Sequence, residues 1–193
     1  MIFAQRMPTR TGLDAALDGV SPTVNSAFAM SHERLADLGI PHVLVGGIAV
    51  GAHGHQYATQ DVDWLVPRAA AFESTIAADG VEVVAYKPGV PVKVLGIGIE
   101  YVMSEGPPFV LAAMNSALAV SEATPKLIVI ATAELLVWMK LKAGRLKDRS
   151  AVVELLRAGQ IEDDAVRRFL VAAGDETVVA RYDTAVQHAI EEG

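Results

Sequence analysis

The 193-residue chain contains no cysteine. That absence excludes disulfides, thiolate nucleophiles, zinc fingers and iron–sulfur clusters, and it leaves carboxylate and imidazole as the protein ligands for any metal. Long apolar runs are missing too. Asn115 and Ser116 interrupt the run from Phe109, and Glu134 interrupts the one from Leu127, so none reaches the roughly 18 to 20 residues of a membrane helix. The segment Met1 to Arg10 has no apolar core of the kind a secretory signal needs, so a soluble, cytoplasmic protein is expected. Positive charge is in deficit, with 16 basic against 23 acidic side chains and a net charge of −7. This argues against broad non-specific binding to nucleic acid, whose affinity comes mainly from neutralised phosphates. With 52% hydrophobic residues the chain is instead expected to bury a substantial core, and whole-chain disorder is excluded.

Periodicity and turn residues divide the chain into three parts. Residues 1–20 have mixed polarity and no clean period, and are expected to form a loosely attached arm with at most a short helix at Leu13 to Leu17. Residues 21–130 read as a small α/β sheet domain. Ser21 and Pro22 are an N-cap and first-turn proline for a helix carrying Val24, Phe28, Leu35 and Leu38 and ending at Gly39. A strand at His42 to Val45 runs into Gly46 and Gly47, then into a small-residue helix, Ile48 to His53. A second strand, Asp61 to Val66, precedes an alanine-rich helix at Arg68 to Ala78. Strands at Val81 to Tyr86 and Val92 to Met103 are joined by Lys87-Pro88-Gly89. Beyond Pro108 a helix is expected at Phe109 to Asn115, with strand-like pieces at Ala117 to Val120 and Leu127 to Ile130. Residues 131–193 read as helices throughout: Ala131 to Ala143, Lys147 to Ala158, Asp163 to Ala173 and Glu176 to Glu191, with glycines at 144, 159 and 174 as stops.

Asp61 and Asp63 are two residues apart in a strand, so both carboxylates project from one face about 7 Å apart. Like charges held that close favour a cation between them. Glu100 shares a strand face with Gly96 and Gly98, which leave open space beside its carboxylate. Three carboxylates from two strands would suit a pair of magnesium ions, which prefer oxygen ligands and keep positions open for phosphate and water. Gly46 and Gly47 stand between a strand and a helix, where bare backbone allows a phosphate to approach closely. Cations cluster at Lys140, Lys142, Arg145, Lys147 and Arg149, with Trp138, Lys142 and Arg145 at one-face helical spacing. Lys142 and Arg145 are the candidates for phosphate contact. His53 and His55 need not converge across a helix end, so His53 is expected to pack or hydrogen-bond and His55 to face solvent. Trp64 and Trp138 are expected in the core, and no Ser-His-Asp arrangement or Rossmann fingerprint can be assembled.

The stretch Val43-Leu44-Val45-Gly46-Gly47-Ile48-Ala49-Val50, followed by His53-Gly54 and Thr59-Gln60-Asp61-Val62-Asp63, resembles the nucleotidyltransferase superfamily that includes DNA polymerase beta. Its wide glycine-to-aspartate spacing is closest to the AbiEii-type toxin nucleotidyltransferases, and Leu141-Lys142-Ala143-Gly144-Arg145-Leu146-Lys147-Asp148 is similar to the segment that follows their catalytic sheet. The resemblance covers roughly residues 24 to 157. It implies a small mixed sheet of the nucleotidyltransferase type with a C-terminal helical bundle. It further implies that Gly46, Gly47 and Thr59 lie at a nucleoside triphosphate, that Asp61 and Asp63 bind Mg2+, and that Glu100 is the third acid, ligating metal and accepting the acceptor's proton. The chain departs from many relatives in carrying Tyr57 where they have arginine and Gly47 where other branches have serine.

The activity expected on these grounds is transfer of a nucleoside monophosphate from a triphosphate to a hydroxyl on RNA, protein or a small molecule. The resemblance also implies a toxin-like role with an antitoxin partner. A binding module that has lost catalysis, for which Tyr57 speaks, is the alternative from another class. A metal-dependent phosphohydrolase using the same carboxylates is less favoured, because the glycine turn suits a triphosphate handled intact.

Overall fold

The computed structural model describes residues 10–55, 59–68, 92–94 and 97–191. The helix expected at Arg68 to Ala78, the strand at Val81 to Tyr86, the turn after it, and Tyr57 and Gly96 lie outside or largely outside those residues. Among the described residues the chain is a mixed α/β protein, mostly helical, built on one mixed sheet. No helix among them is long and apolar enough to cross a membrane.

The sheet is made by β1 (Val43–Val45), β2 (Asp61–Val66), β3 (Val92–Val94), β4 (Ile97–Met103) and β5 (Val129–Ile130), in the order β3-β4-β2-β1-β5. β1 runs antiparallel to β2 and parallel to β5, while β2 and β4 are parallel over their full length. The single strand expected at Val92 to Met103 is two strands instead. β3 and β4 pair antiparallel with Val94 opposite Ile97, so the chain reverses between them.

The described part of the segment expected as a loosely attached arm packs on the core. Residues Arg10–Asp18 form α1, which buries Leu13 and Ala16. It sits so close to α3 (Gly46–Ala52) that a Cβ at Gly51 would come within 2.9 Å of the Ala16 methyl. Helix α2 (Pro22–Asp37) starts as its sequence predicts, with the Ser21 hydroxyl accepting from the Val24 N–H at 3.2 Å. Gly39 (φ 66°) follows its end in the left-handed conformation.

The other departure is α4 (Pro108–Ala123), a single helix that absorbs the strand expected at Ala117 to Val120. Its buried residues Val110, Met114, Leu118 and Ser121 repeat at four, four and three, so Asn115 and Ser116 lie off the packed stripe and do not end it. The C-terminal helices α5 (Ala133–Ala143), α6 (Leu146–Arg157), α7 (Asp163–Ala173) and α8 (Glu176–Glu191) agree closely with the sequence. α5 begins two residues later than expected because Ala131 still donates to the Leu44 carbonyl across the sheet, leaving Thr132 as its N-cap.

One apolar cluster runs from α1 through the sheet to Val178, Tyr182 and Ala185 of α8. At its centre Trp64 is fully buried, stacks on Phe28 at 5.4 Å between centroids and donates from its indole to Ser31 Oγ at 2.9 Å. Trp138 is buried as well, and His53 is a buried hydrogen-bonding residue whose Nε2 lies 2.9 Å from the Ala131 carbonyl. His55 is half-buried where exposure was expected.

Beside Trp64, His32 Nδ1 meets His42 Nε2 at 2.7 Å, and His42 Nδ1 meets the Ile40 carbonyl at 2.8 Å. Both contacts are satisfied when each ring carries its proton on Nδ1, a fully neutral pair. The His42 backbone N–H donates to Ser121 Oγ at 3.0 Å and so ties α4 to the start of β1.

Burial, partly opposed by facing carbonyls, holds both His32 and His42 below the ordinary imidazole value of 6.5. Their unfolded forms therefore take up protons first, so the stability they contribute is complete above pH 6.5 and is lost as pH falls through that value. The unfolding midpoint of H42Q should change less between pH 7.5 and pH 5.5 than that of the wild type. An equal change in the two proteins would mean that the pair does not titrate in this window.

Candidate functional site

Strand register brings the acidic residues together. Asp63 lies opposite Val45 of β1 on one side and opposite Glu100 of β4 on the other, with neighbouring strands about 4.8 Å apart. Asp61 lies opposite Gly98 on the same face, two residues toward the solvent end of β2, and is exposed. The described part of the glycine-spaced face thus places Gly98 beside Asp61 and leaves Glu100 beside Asp63.

Because Val45 is Asp63's neighbour, the chain leaves β1 directly against that carboxylate. The N-cap position of α3 is Val45, which has no side chain able to cap, and Asp63 takes over by accepting the Gly47 N–H from the adjacent strand. Gly46 is required twice over. Its φ of 68° is left-handed, and a Cβ there would collide with the Asp63 carboxylate. One amide of the turn expected to lie open to a phosphate is thus engaged by Asp63.

Burial, and then the charge of Glu100, raise the Asp63 carboxyl to about 6 from 3.8, against the opposing pull of Lys140 and the Gly47 amide. A carboxylate so placed is poised to gain a cation.

The cations come from the C-terminal helices. Lys140 of α5 is buried, and its Nζ lies 3.0 Å from Oδ1 of Asp148, a wholly buried residue of α6. Arg145, just before α6, donates from Nε to the other Asp148 oxygen at 2.6 Å, while its side chain remains 59% exposed. Burial pushes the Asp148 carboxyl up, but hydrogen bonds from Arg145 and Lys140 outweigh it and hold the group below the usual carboxylate value. A cavity of about 180 Å³ joins these groups, with Gly46, Asp63 and Glu100 on the sheet side and Lys140, Arg145 and Asp148 on the helix side.

Of the residues singled out in the sequence, the cavity therefore brings together Gly46, Asp63, Glu100 and Arg145. Thr59 is turned onto its own strand entry, where its hydroxyl donates to the Asp61 carbonyl at 3.1 Å. Lys142 points elsewhere. It pairs with Asp175 at 2.7 Å and lines a second cavity that also reaches Glu100. Sequence reasoning counted Lys140 only as one of five clustered cations and passed over Asp148. The signal was present in spacing: Lys140 follows Leu136 by four on the buried face of α5, where an unpaired lysine would be costly, and Asp148 is an acid eight residues on.

Among the described residues no three His, Asp or Glu side chains stand together as a group able to hold a metal. The pair Asp63 and Glu100 nonetheless suits magnesium, which is commonly held by one or two carboxylates together with substrate phosphates and water. A comparison with models of known protein families finds no match for this chain, and a search of curated proteins finds none either.

D63N should be more stable than the wild type at pH 7.5 in metal-free buffer, by about 1–2 kcal/mol after allowing for solvent screening. The sign follows from the raised folded value: the wild-type carboxyl stabilises the fold as pH drops from about 6 toward 3.8, so the advantage of D63N should shrink across that window. Equal denaturant midpoints at pH 7.5 would contradict this. Removing one partner of the buried cluster should do the opposite, with D148N losing about 3–5 kcal/mol because Lys140 is left buried without its carboxylate, a loss read from chemical denaturation.

Proposed function

We propose that the chain is a magnesium-dependent nucleotidyltransferase that moves a nucleoside monophosphate from a triphosphate to a hydroxyl acceptor. The observation that carries this reading is the pairing of Asp63 with Glu100 across β2 and β4, beside the glycine turn and facing Lys140 and Arg145 across one cavity. Carboxylates on one wall and cations on the other match the needs of a triphosphate bound through magnesium.

Magnesium, held by Asp63 and Glu100 with Asp61 at the solvent end, would screen phosphate charge and favour departure of pyrophosphate. The protein's own groups supply the rest. Arg145, more than half exposed, can turn a guanidinium edge to phosphate oxygens while Asp148 fixes its Nε. Lys140 adds a positive charge from the opposite wall of the cavity. Gly46 keeps the wall free of a side chain, so that phosphate can lie against backbone. Glu100, at the border of both cavities, is placed to receive the proton of the attacking hydroxyl. A cytoplasmic setting, where triphosphates are abundant, suits this chemistry.

A second reading, a nucleotide-binding module without catalysis, is favoured by one observation. The Gly47 amide and both cavity cations are already engaged, by Asp63 and Asp148 respectively.

Calorimetry with ATP, GTP, CTP and UTP, with and without magnesium, distinguishes these readings when combined with pyrophosphate release. D61N and D63N should lose magnesium-dependent affinity while remaining folded. E100Q should bind nucleotide within about tenfold of the wild type, roughly 1.4 kcal/mol, yet turn over about 100-fold more slowly. Unchanged magnesium-dependent affinity in both aspartate variants would remove the metal site, and binding without turnover in the wild type would select the second reading.

A further inference from the structure

A second and larger cavity, about 650 Å³, adjoins the first and shares Glu100, Val102 and Met139 with it. Its volume falls within the range of small-molecule sites. Much of its wall is apolar and adaptable, with Val102, Met103, Pro107, Met114 and Met139 around the Trp138 ring. Among the described lining residues the charged ones are Arg68, Glu100, Glu105 and Lys142; Arg68 pairs with Glu105 at 3.5 Å and Lys142 with Asp175 outside the lining at 2.7 Å.

One polar group behind this wall has no partner among the described residues. Trp138 is 5% exposed, and its indole N–H is buried with no hydrogen-bond acceptor among the described residues. A buried donor without an acceptor is costly in a protein interior, and because water does not reach this N–H its signal reports how the Trp138 ring packs against the wall. Gly106, with φ 151°, allows the tryptophan edge to close on this wall, since a Cβ there would meet Cη2 of Trp138 at 3.3 Å.

We infer that this cavity is the acceptor site and that the acceptor is a small, predominantly apolar alcohol, an inference that rests on the nucleotidyltransferase reading. The hydroxyl would lie at Glu100, the only acid shared by the two cavities among the described residues, with the apolar body on the methionine wall. In the transfer, the alcohol oxygen forms a bond to the α-phosphorus and the bond from that phosphorus to the bridging oxygen breaks. Pyrophosphate leaves, and the hydroxyl proton passes to the Glu100 carboxylate. A polynucleotide acceptor fits less well, because its phosphates need several uncompensated cations. Among the described residues the cations at these cavities are paired with Glu105, Asp148 and Asp175, in a chain of net charge −7.

The chain's two tryptophans make the test direct. In a nitrogen-15 spectrum they give two indole N–H signals, assigned with W64F. Titration with 2-(1-naphthyl)ethanol, without nucleotide or magnesium, should move the Trp138 signal saturably. The Trp64 signal, already bonded to Ser31, should stay in place. M103R, which places a charge in the apolar wall, should weaken this response at least tenfold, and M103Q serves the same purpose if M103R does not fold. No movement of the Trp138 signal, or movement with a single-stranded oligonucleotide or a serine-containing peptide but not with the alcohol, would overturn the inference. Because magnesium-dependent nucleotide binding is measured separately by calorimetry, failure of the acceptor assignment is distinguishable from failure of the nucleotidyltransferase reading.

Discussion

A carboxylate held between two strands and against a helix start sets the terms for everything around it. Asp63 has Glu100 as its neighbour on one side and the exit of β1 on the other, so it faces a like charge while partly shielded from water. That position is unfavourable for an isolated anion, and the surroundings offset it in two ways. The Gly47 amide donates to it, and Lys140 lies near enough to draw its titration downward. Neither compensation is complete, and the residual penalty is why the carboxyl sits near 6. In the proposed metal site this residual penalty would favour a divalent cation.

The demand for positive charge explains the helices that follow the sheet. Lys140 is buried against Asp148, and Arg145 closes the second oxygen of that carboxylate. Such clusters seldom add net stability relative to apolar replacements, which fits the phosphate-binding role proposed for this one. The left-handed Gly144 lets the chain turn between α5 and α6 and bring the three charges together within nine residues of sequence. It is also where Arg181 of α8 reaches the Leu141 carbonyl at 2.6 Å, fastening the last helix to the same corner. Core packing is continuous from sheet to bundle, so the cation wall is held as firmly as the carboxylate wall.

The titratable groups pull the pH dependence of stability in opposite directions. The neutral histidine pair behind Trp64 loses stabilising free energy on acidification, while Asp63 gains it once its proton is on. The first is a structural cost of burying imidazole in a core, and the second belongs to the cavity proposed as the functional site. Their spatial separation across the sheet lets them be read independently by substitution.

Much of the local structure was legible in the sequence because it depends on nearest neighbours. The Ser21-Pro22 start, the strand from Asp61 to Val66, and the glycine-ended helices beyond residue 131 follow from capping, alternation and the conformational freedom of glycine. The common face of Asp61 and Asp63 needed only the two-residue strand period. What the sequence could not settle was decided by partners far along the chain. Whether Ala117 to Val120 was strand or helix depended on the apolar stripe of α4 finding the core, since its local preferences serve both. Whether Arg10–Asp18 packed onto α3 depended on Gly51 admitting Ala16. The pairing of Asp63 with Glu100, 37 positions apart, follows from the parallel register of β2 and β4, and a shift of one residue would have turned one of them to the opposite face. The choice of Lys140 over Lys142 for the inner cavity followed from helix rotation against the sheet. Composition and periodicity set the elements and the chemical types available, whereas register and packing, which are long-range, set which charges meet.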